Sequence, residues 1–135
     1  HIYPGLPEAN LIEVSGTSVF WIGNTEVVPI EAMHKDMPIL GYRMGRFAYV
    51  TDANYIAPTE LDKIKDMDVL VINALRQEKH FSHFSLAEAL EVIDFLKPRK
   101  AYLTHMSHEM GFYDEVSRNL PKNVFLAYDG LTIEI

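Results

Sequence analysis

The sequence predicts a layered α/β fold built on a mixed sheet, and three observations carry that expectation. The first half is a series of short strand-like runs separated by glycine-containing turns. Residues 69–72 (VLVI) form a continuous apolar block, the pattern of a strand buried on both faces. A segment with helical periodicity then follows before the next strand-like run, and strand, helix, strand, helix, strand in succession indicates layers of helix on sheet. A length of 135 residues suits one domain, and 48% hydrophobic with 23% charged residues is a globular composition.

The opening ten residues contain Pro4, Gly5 and Pro7 and read as loop. Strands are expected over 11–14, 18–22 and 26–30, the last two joined by a hairpin turn at Gly23-Asn24. Two more, over 39–44 and 47–51, meet at a reversal at Gly45-Arg46. Pro58-Thr59 opens a short helix to about Lys65, with Thr59 the candidate N-cap. After the buried strand at 69–72, Ser85-Leu86-Ala87-Glu88 spells a capping box. Leu86, Ala89, Leu90, Ile93 and Leu96 then recur at helical spacing until Pro98 stops the helix. A short strand over 101–104, a third helix over roughly 109–119 ended by Pro121, and a closing hairpin of 125–127 with 132–135 around Asp129-Gly130 complete the chain.

No run of about 18 apolar residues exists, so no membrane-spanning helix is expected. The chain has no cysteine, which removes disulfides, thiolate metal sites and a cysteine nucleophile. Any metal must be held by His, Asp or Glu. A cytoplasmic location is the expectation that fits. Twelve basic against 19 acidic residues leave a net charge of -7. Such a balance argues against nucleic acid as partner, because Lys and Arg supply most phosphate affinity. The first residue is His1, no signal-peptide pattern follows, and the chain reads as part of a longer product.

Three strand-like segments finish on a residue that can bind a divalent metal: the segment 26–33 runs into His34, 48–51 into Asp52, and 101–104 into His105. Ligands gather at the carboxyl ends of strands in α/β sheets, where loops diverge from a rigid scaffold. Two imidazoles and a carboxylate suit Zn, Mn or Fe, and a carboxylate can bridge two ions. Each residue also has a plain reading, as a turn former, a helix cap or a hydrogen-bonded structural histidine. His80 and His83 lie in the loop before the capped helix. His83, nearer the helix and better fixed, is the candidate general acid, since an imidazole titrates near neutrality. His80 reads as a solvent-exposed loop residue. His108, on the turn after His105, and Asp129, at a hairpin turn, are at most supports for the site.

The stretches Gly41-Tyr42-Arg43, Tyr49-Val50-Thr51-Asp52-Ala53, VLVINALR at 69–76, His83-Phe84-Ser85-Leu86, AYLTHMSH at 101–108 and AYDGL at 127–131 occur in this order. Together they resemble the C-terminal half of metallo-β-lactamase-fold hydrolases, closest to the phosphoribosyl cyclic phosphodiesterase branch. The resemblance runs from about Gly16 to Ile135. It implies half of an αββα sandwich, a mixed sheet with helices on one face, and residues 1–135 as a single partial domain. It implies two divalent metals, Zn or Mn, in the complete protein. His34 resembles the histidine completing the first metal site, Asp52 the aspartate bridging both ions, and His105 the histidine completing the second. His83 resembles the histidine that protonates the leaving group or holds the substrate phosphate.

The family's His-x-His-x-Asp-His signature does not occur in these 135 residues. The expectation is therefore an N-terminal half absent from the chain, with three of seven ligands present. The function implied is metal-dependent hydrolysis of a small cyclic phosphodiester by a metal-activated hydroxide. The chain alone is expected to be weakly active at best, with partial or no metal, and to self-associate through its uncovered sheet. The alternatives are a tRNA 3′-processing nuclease of the same fold, disfavoured by the acidic charge, and a non-catalytic half-domain serving as an assembly or binding module.

Overall fold

The structure, a computed structural model, describes residues 4–135, so His1 and the two residues after it lie outside the described residues. Seven strands form one sheet in the order of the chain. Strands β1 (Phe20–Ile22), β2 (Thr25–His34), β3 (Met37–Met44) and β4 (Phe47–Val50) are an antiparallel meander. Strands β5 (Val69–Asn73), β6 (Lys100–Thr104) and β7 (Val124–Leu126) extend it in parallel. Helices α1 (Pro58–Leu61), α2 (Leu86–Leu96) and α3 (Tyr113–Arg118) make the crossovers that parallel pairing requires.

Strand direction decides where the site can form. Two reversals separate β2 from β4, so β2 runs the same way as β4, β5, β6 and β7. The carboxyl ends of β2, β4 and β6 therefore share one edge of the sheet. The β3–β4 contact is close: a Cβ on Gly41 would stand 2.6 Å from Val50 Cγ2 and 2.8 Å from the Tyr49 carbonyl oxygen.

Alternation along the strands sorts the two faces. Ala48, Val50, Leu70, Ile72, Ala101, Leu103, Val124 and Leu126 point to one face and join the buried core with Ala89, Ile93 and Leu96 of α2. On the other face Tyr49, Val71, Tyr102 and Phe125 lie in register across four strands. Tyr49 and Phe125 are each 40% exposed there, and the rings of Tyr102 and Phe125 stack at 5.4 Å. The expected mixed sheet with helices on one face is present. The capping box is also present: Ser85 Oγ accepts from the Glu88 amide and the Glu88 carboxylate accepts from the Ser85 amide. Lys97 ends the helix in the left-handed region, ahead of Pro98.

Four expected local features differ. Residues 11–14 form no strand; Leu11 is 96% and Ile12 85% exposed, and no neighbouring strand offers them a ladder. The first helix has Ala57, not Thr59, at its N-cap, because Pro58 takes the first helical position, where its missing N–H costs nothing. The helix is one turn long and gives way to a 3₁₀ turn over Asp62–Ile64. The third helix is split: a 3₁₀ turn at His108–Met110 stops at Gly111, whose φ of 107° leaves helical space, and α3 starts at Tyr113. The closing hairpin is absent. Asp129-Gly130 does make a turn, but β7 ends at Leu126, too early for a ladder to start at that turn, and residues 132–135 form no strand. No helix among the described residues is long and apolar enough to cross a membrane.

Candidate metal centre

The loop after β4 folds over the end of β2. The Met33 amide donates to the Tyr55 carbonyl at 2.9 Å, the Asn54 amide to the Met33 carbonyl at 2.8 Å, and the Lys35 amide to Asn54 Oδ1 at 2.8 Å. This clamp brings His34 against Asp52 although β3 separates their strands. Asn73, fully buried at the end of β5, fixes the same loop from the other side. Its side-chain amide donates to the Ala53 carbonyl at 2.8 Å, and its Oδ1 accepts the Ala53 amide at 2.9 Å. The Ala53 carbonyl also accepts the Phe84 amide at 2.9 Å, which ties down the loop carrying His83. Asp52 and His105 both occupy the left-handed region, with φ of 67° and 61°. Such conformations carry strain that persists only where the surroundings over-determine them, and they concentrate at functional sites.

Three imidazoles converge on one oxygen. Asp52 Oδ1 lies 2.5 Å from His83 Nε2, 3.3 Å from His34 Nδ1 and 3.5 Å from His105 Nε2. The His83 ring stacks on His105 with centroids 5.0 Å apart and meets His34 edge-on at 4.9 Å. His34, Asp52 and His83 each offer a ligand atom within 4.8 Å of the others. His34 Nδ1 also reaches the Asp52 carbonyl oxygen at 2.9 Å. A carbonyl only accepts, so Nδ1 carries the proton and a neutral His34 keeps a free lone pair on Nε2. A backbone carbonyl orienting an imidazole in this way is the usual support of a metal-ligating histidine. Nitrogen donors around a carboxylate, with no sulfur, fit a borderline or hard divalent ion such as Zn or Mn.

Burial pushes the His83 imidazole below its ordinary range. The hydrogen bond and charge of Asp52 oppose that shift, while His105 and His34 add to it. Burial thus favours the uncharged imidazole at His83, and the Asp52 carboxylate beside it favours the protonated one.

All four principal residues named by the sequence, His34, Asp52, His83 and His105, come together. His80 is not the solvent-exposed residue expected: it is half-buried, with Nδ1 3.2 Å from His83 Nδ1. His108 and Asp129 are exposed, and among the described residues neither forms a hydrogen bond to the cluster; Ser107, not His108, caps the 3₁₀ turn. Sequence reasoning passed over Asn73 and Ser82. Asn73 had a signal, an amide closing an otherwise apolar strand, whereas nothing in the loop sequence set Ser82 apart.

Residues 2–106 match the beta-lactamase superfamily domain. A protein of Porphyromonas gingivalis (strain ATCC BAA-308 / W83) named octanoyltransferase is 36% identical over 130 residues, covering 96% of this chain and 26% of that protein. A solved diphosphatase of the PhnP family superposes with a TM-score of 0.87 at 31% identity, covering 90% of this chain and 47% of its own. The short form of human tRNase Z superposes with a TM-score of 0.66 at 18% identity, covering 86% of this chain and 45% of its own. The chain thus spans about a quarter of the curated relative and under half of either solved one. With the family match over most of its length and its strand ends converging on Asp52, the chain belongs to the beta-lactamase superfamily and has the metallo-β-lactamase fold.

Proposed function

We propose that the complete protein carrying this chain is a metal-dependent hydrolase of small phosphoesters, a cyclic phosphodiester or a diphosphate. The observation that carries this reading is the convergence of His34, His83 and His105 on Asp52 at the shared strand edge. In this reading His34, Asp52 and His105 are the residues that would hold the divalent ions. Divalent ions in such a site supply Lewis acidity that stabilises phosphoryl charge and makes hydroxide available near pH 7. His83 stands with Nε2 toward the carboxylate, in place to give a proton to the departing oxygen, a contribution of roughly 10²–10⁴ in rate.

The likeness to a PhnP-family diphosphatase supports phosphoryl chemistry over lactam or thioester cleavage. The net charge of -7 disfavours the RNA that a tRNase Z-like reading requires. The name of the Porphyromonas gingivalis relative stays with that protein, most of which lies outside the matched segment.

The test is hydrolysis of bis(p-nitrophenyl) phosphate, a 2′,3′-cyclic nucleotide and a nucleoside diphosphate by the full-length protein loaded with Zn or Mn. Turnover should require metal, disappear in Asp52→Ala and fall about 10²-fold or more in His83→Ala. A metal-loaded protein that leaves all three phosphoesters intact while cleaving a thioester or lactam sinks the reading.

A further inference from the structure

Beside the cluster stands an aromatic ring that the chemistry above does not use. Phe81 is 69% exposed, in the loop two residues before His83. Its ring is nonetheless fixed: it stacks on the His80 imidazole with centroids 4.4 Å apart and planes at 28°. His80 is half-buried, and its Nδ1 is held by the Ser82 amide at 3.3 Å and the Ser82 hydroxyl at 3.2 Å. The same imidazole lies 5.1 Å from the His83 ring, so a single ring separates Phe81 from the cluster. A phenyl left in water is unfavourable, yet a ring held still and uncovered is what a stacking platform needs, because a partner then loses little entropy in ordering it. A cation stands next to it. Lys35 follows His34 in left-handed conformation, φ 56°, and its amide donates to Asn54 Oδ1 at 2.8 Å. From there its Nζ reaches across to lie 5.4 Å from the Phe81 ring centroid.

We infer that Phe81 and Lys35 form a nucleotide subsite, with the base stacked on the phenyl ring and the ammonium on an anionic phosphate oxygen, so that the substrate is a nucleotide phosphoester and not a base-free sugar phosphate. This names the substrate class for the phosphoester hydrolysis proposed above and rests on that reading. A ring and an ammonium side by side favour a ligand with both a planar π face and negative charge; a bare sugar phosphate uses the lysine alone. In the free chain the ammonium stays beside the ring at cation–π distance, a weak contact at an exposed site, and a base arriving on the ring displaces it toward its own phosphate. Every base has a π face, so the subsite separates nucleotides from base-free esters without reading one base against another. One lysine suffices for a small nucleotide, whereas a long RNA needs the basic tract that a net charge of -7 does not supply.

The experiment is isothermal titration of the zinc-loaded full-length protein with AMP and with ribose 5-phosphate, which share sugar and phosphate and differ by the base. AMP should bind about tenfold or more tightly than ribose 5-phosphate. Phe81→Ala should bring AMP to the affinity of ribose 5-phosphate, Phe81→Trp should keep the preference, and Lys35→Ala should weaken both ligands. In turnover, Phe81→Ala should raise KM for 2′,3′-cyclic AMP about tenfold relative to KM for glycerol 1,2-cyclic phosphate, with the change in KM and not in kcat. Equal affinity of the wild type for AMP and ribose 5-phosphate overturns the inference, as does an AMP preference that survives Phe81→Ala, or no binding of either ligand. If the wild-type protein hydrolyses no phosphoester, the proposed function fails, while the titrations still decide whether Phe81 and Lys35 hold a nucleotide.

Discussion

Asp52 is held in left-handed backbone conformation by a residue that touches no ligand atom of the cluster, and that makes Asn73 the sharpest single-residue test of the site. Asn73→Ala removes both bonds to Ala53 and leaves the Ala53 amide buried without a partner, a loss of about 1–3 kcal/mol. Because the same bonds aim Asp52, metal affinity should fall by about 10-fold or more alongside stability. Urea titration and calorimetric zinc binding measure the two, and unchanged zinc affinity in a folded variant would show that the loop needs no help from Asn73. His83 supplies a second residue-scale prediction. Unfolded, its imidazole titrates near 6.5, and burial in the folded chain lowers that value. Between the two the unfolded state binds more protons, so the stability contribution is intact above about 6.5 and is lost as pH falls. Metal-free protein should lose more of its urea midpoint between pH 7.5 and 5.5 than the His83→Asn variant does. Equal losses would contradict the shift.

At the scale of elements, α2 is the clearest case of local sequence and tertiary packing agreeing. Its capping box satisfies amides at the N-terminus, while Ala89, Ile93 and Leu96 bury one face on the sheet. Ser85→Ala should cost about 1 kcal/mol, and Ser85→Gly only a few tenths. Chemical denaturation of both variants gives the comparison, and an alanine variant as stable as wild type would mean the packed face alone holds the helix. The third helical segment shows the opposite balance. Its polar and apolar pattern continues through Gly111, yet the backbone there leaves helical space and divides it.

At the scale of the whole molecule, the two faces of the sheet have different fates. One is covered by helices; the other leaves Tyr49, Tyr102 and Phe125 in a row across the strands. Aromatic side chains bury roughly 150–250 Å² each when covered, so this row is a strong driver of association. The 135-residue chain in isolation should therefore form dimers or larger species in light scattering at micromolar concentration. Tyr49→Lys with Phe125→Lys should move it toward monomer. A wild-type chain that stays monomeric would show that the row is shielded in solution.

The elements with strong local signals were legible from residues alone. The capping box of α2, the all-apolar β5 and the glycine turns at Gly23 and Gly45 each depend on neighbours within a few positions. His34, Asp52 and His105 were legible because each closes a strand, and strand ends in an α/β sheet gather ligands. The isolated segments failed where pairing decides: residues 11–14 and 132–135 have strand-like composition but no partner, and a strand is stable only within a ladder. Direction of the strands, the clamp of the Asp52 loop on β2, and the inward turn of His80 and Ser82 are long-range facts. They arise from contacts between residues 19 or more positions apart or from burial that no local pattern records. Residue type and local pattern name the side chains able to do chemistry; long-range packing selects which of them meet, because it alone sets the distances on which a shared metal or a transferred proton depends.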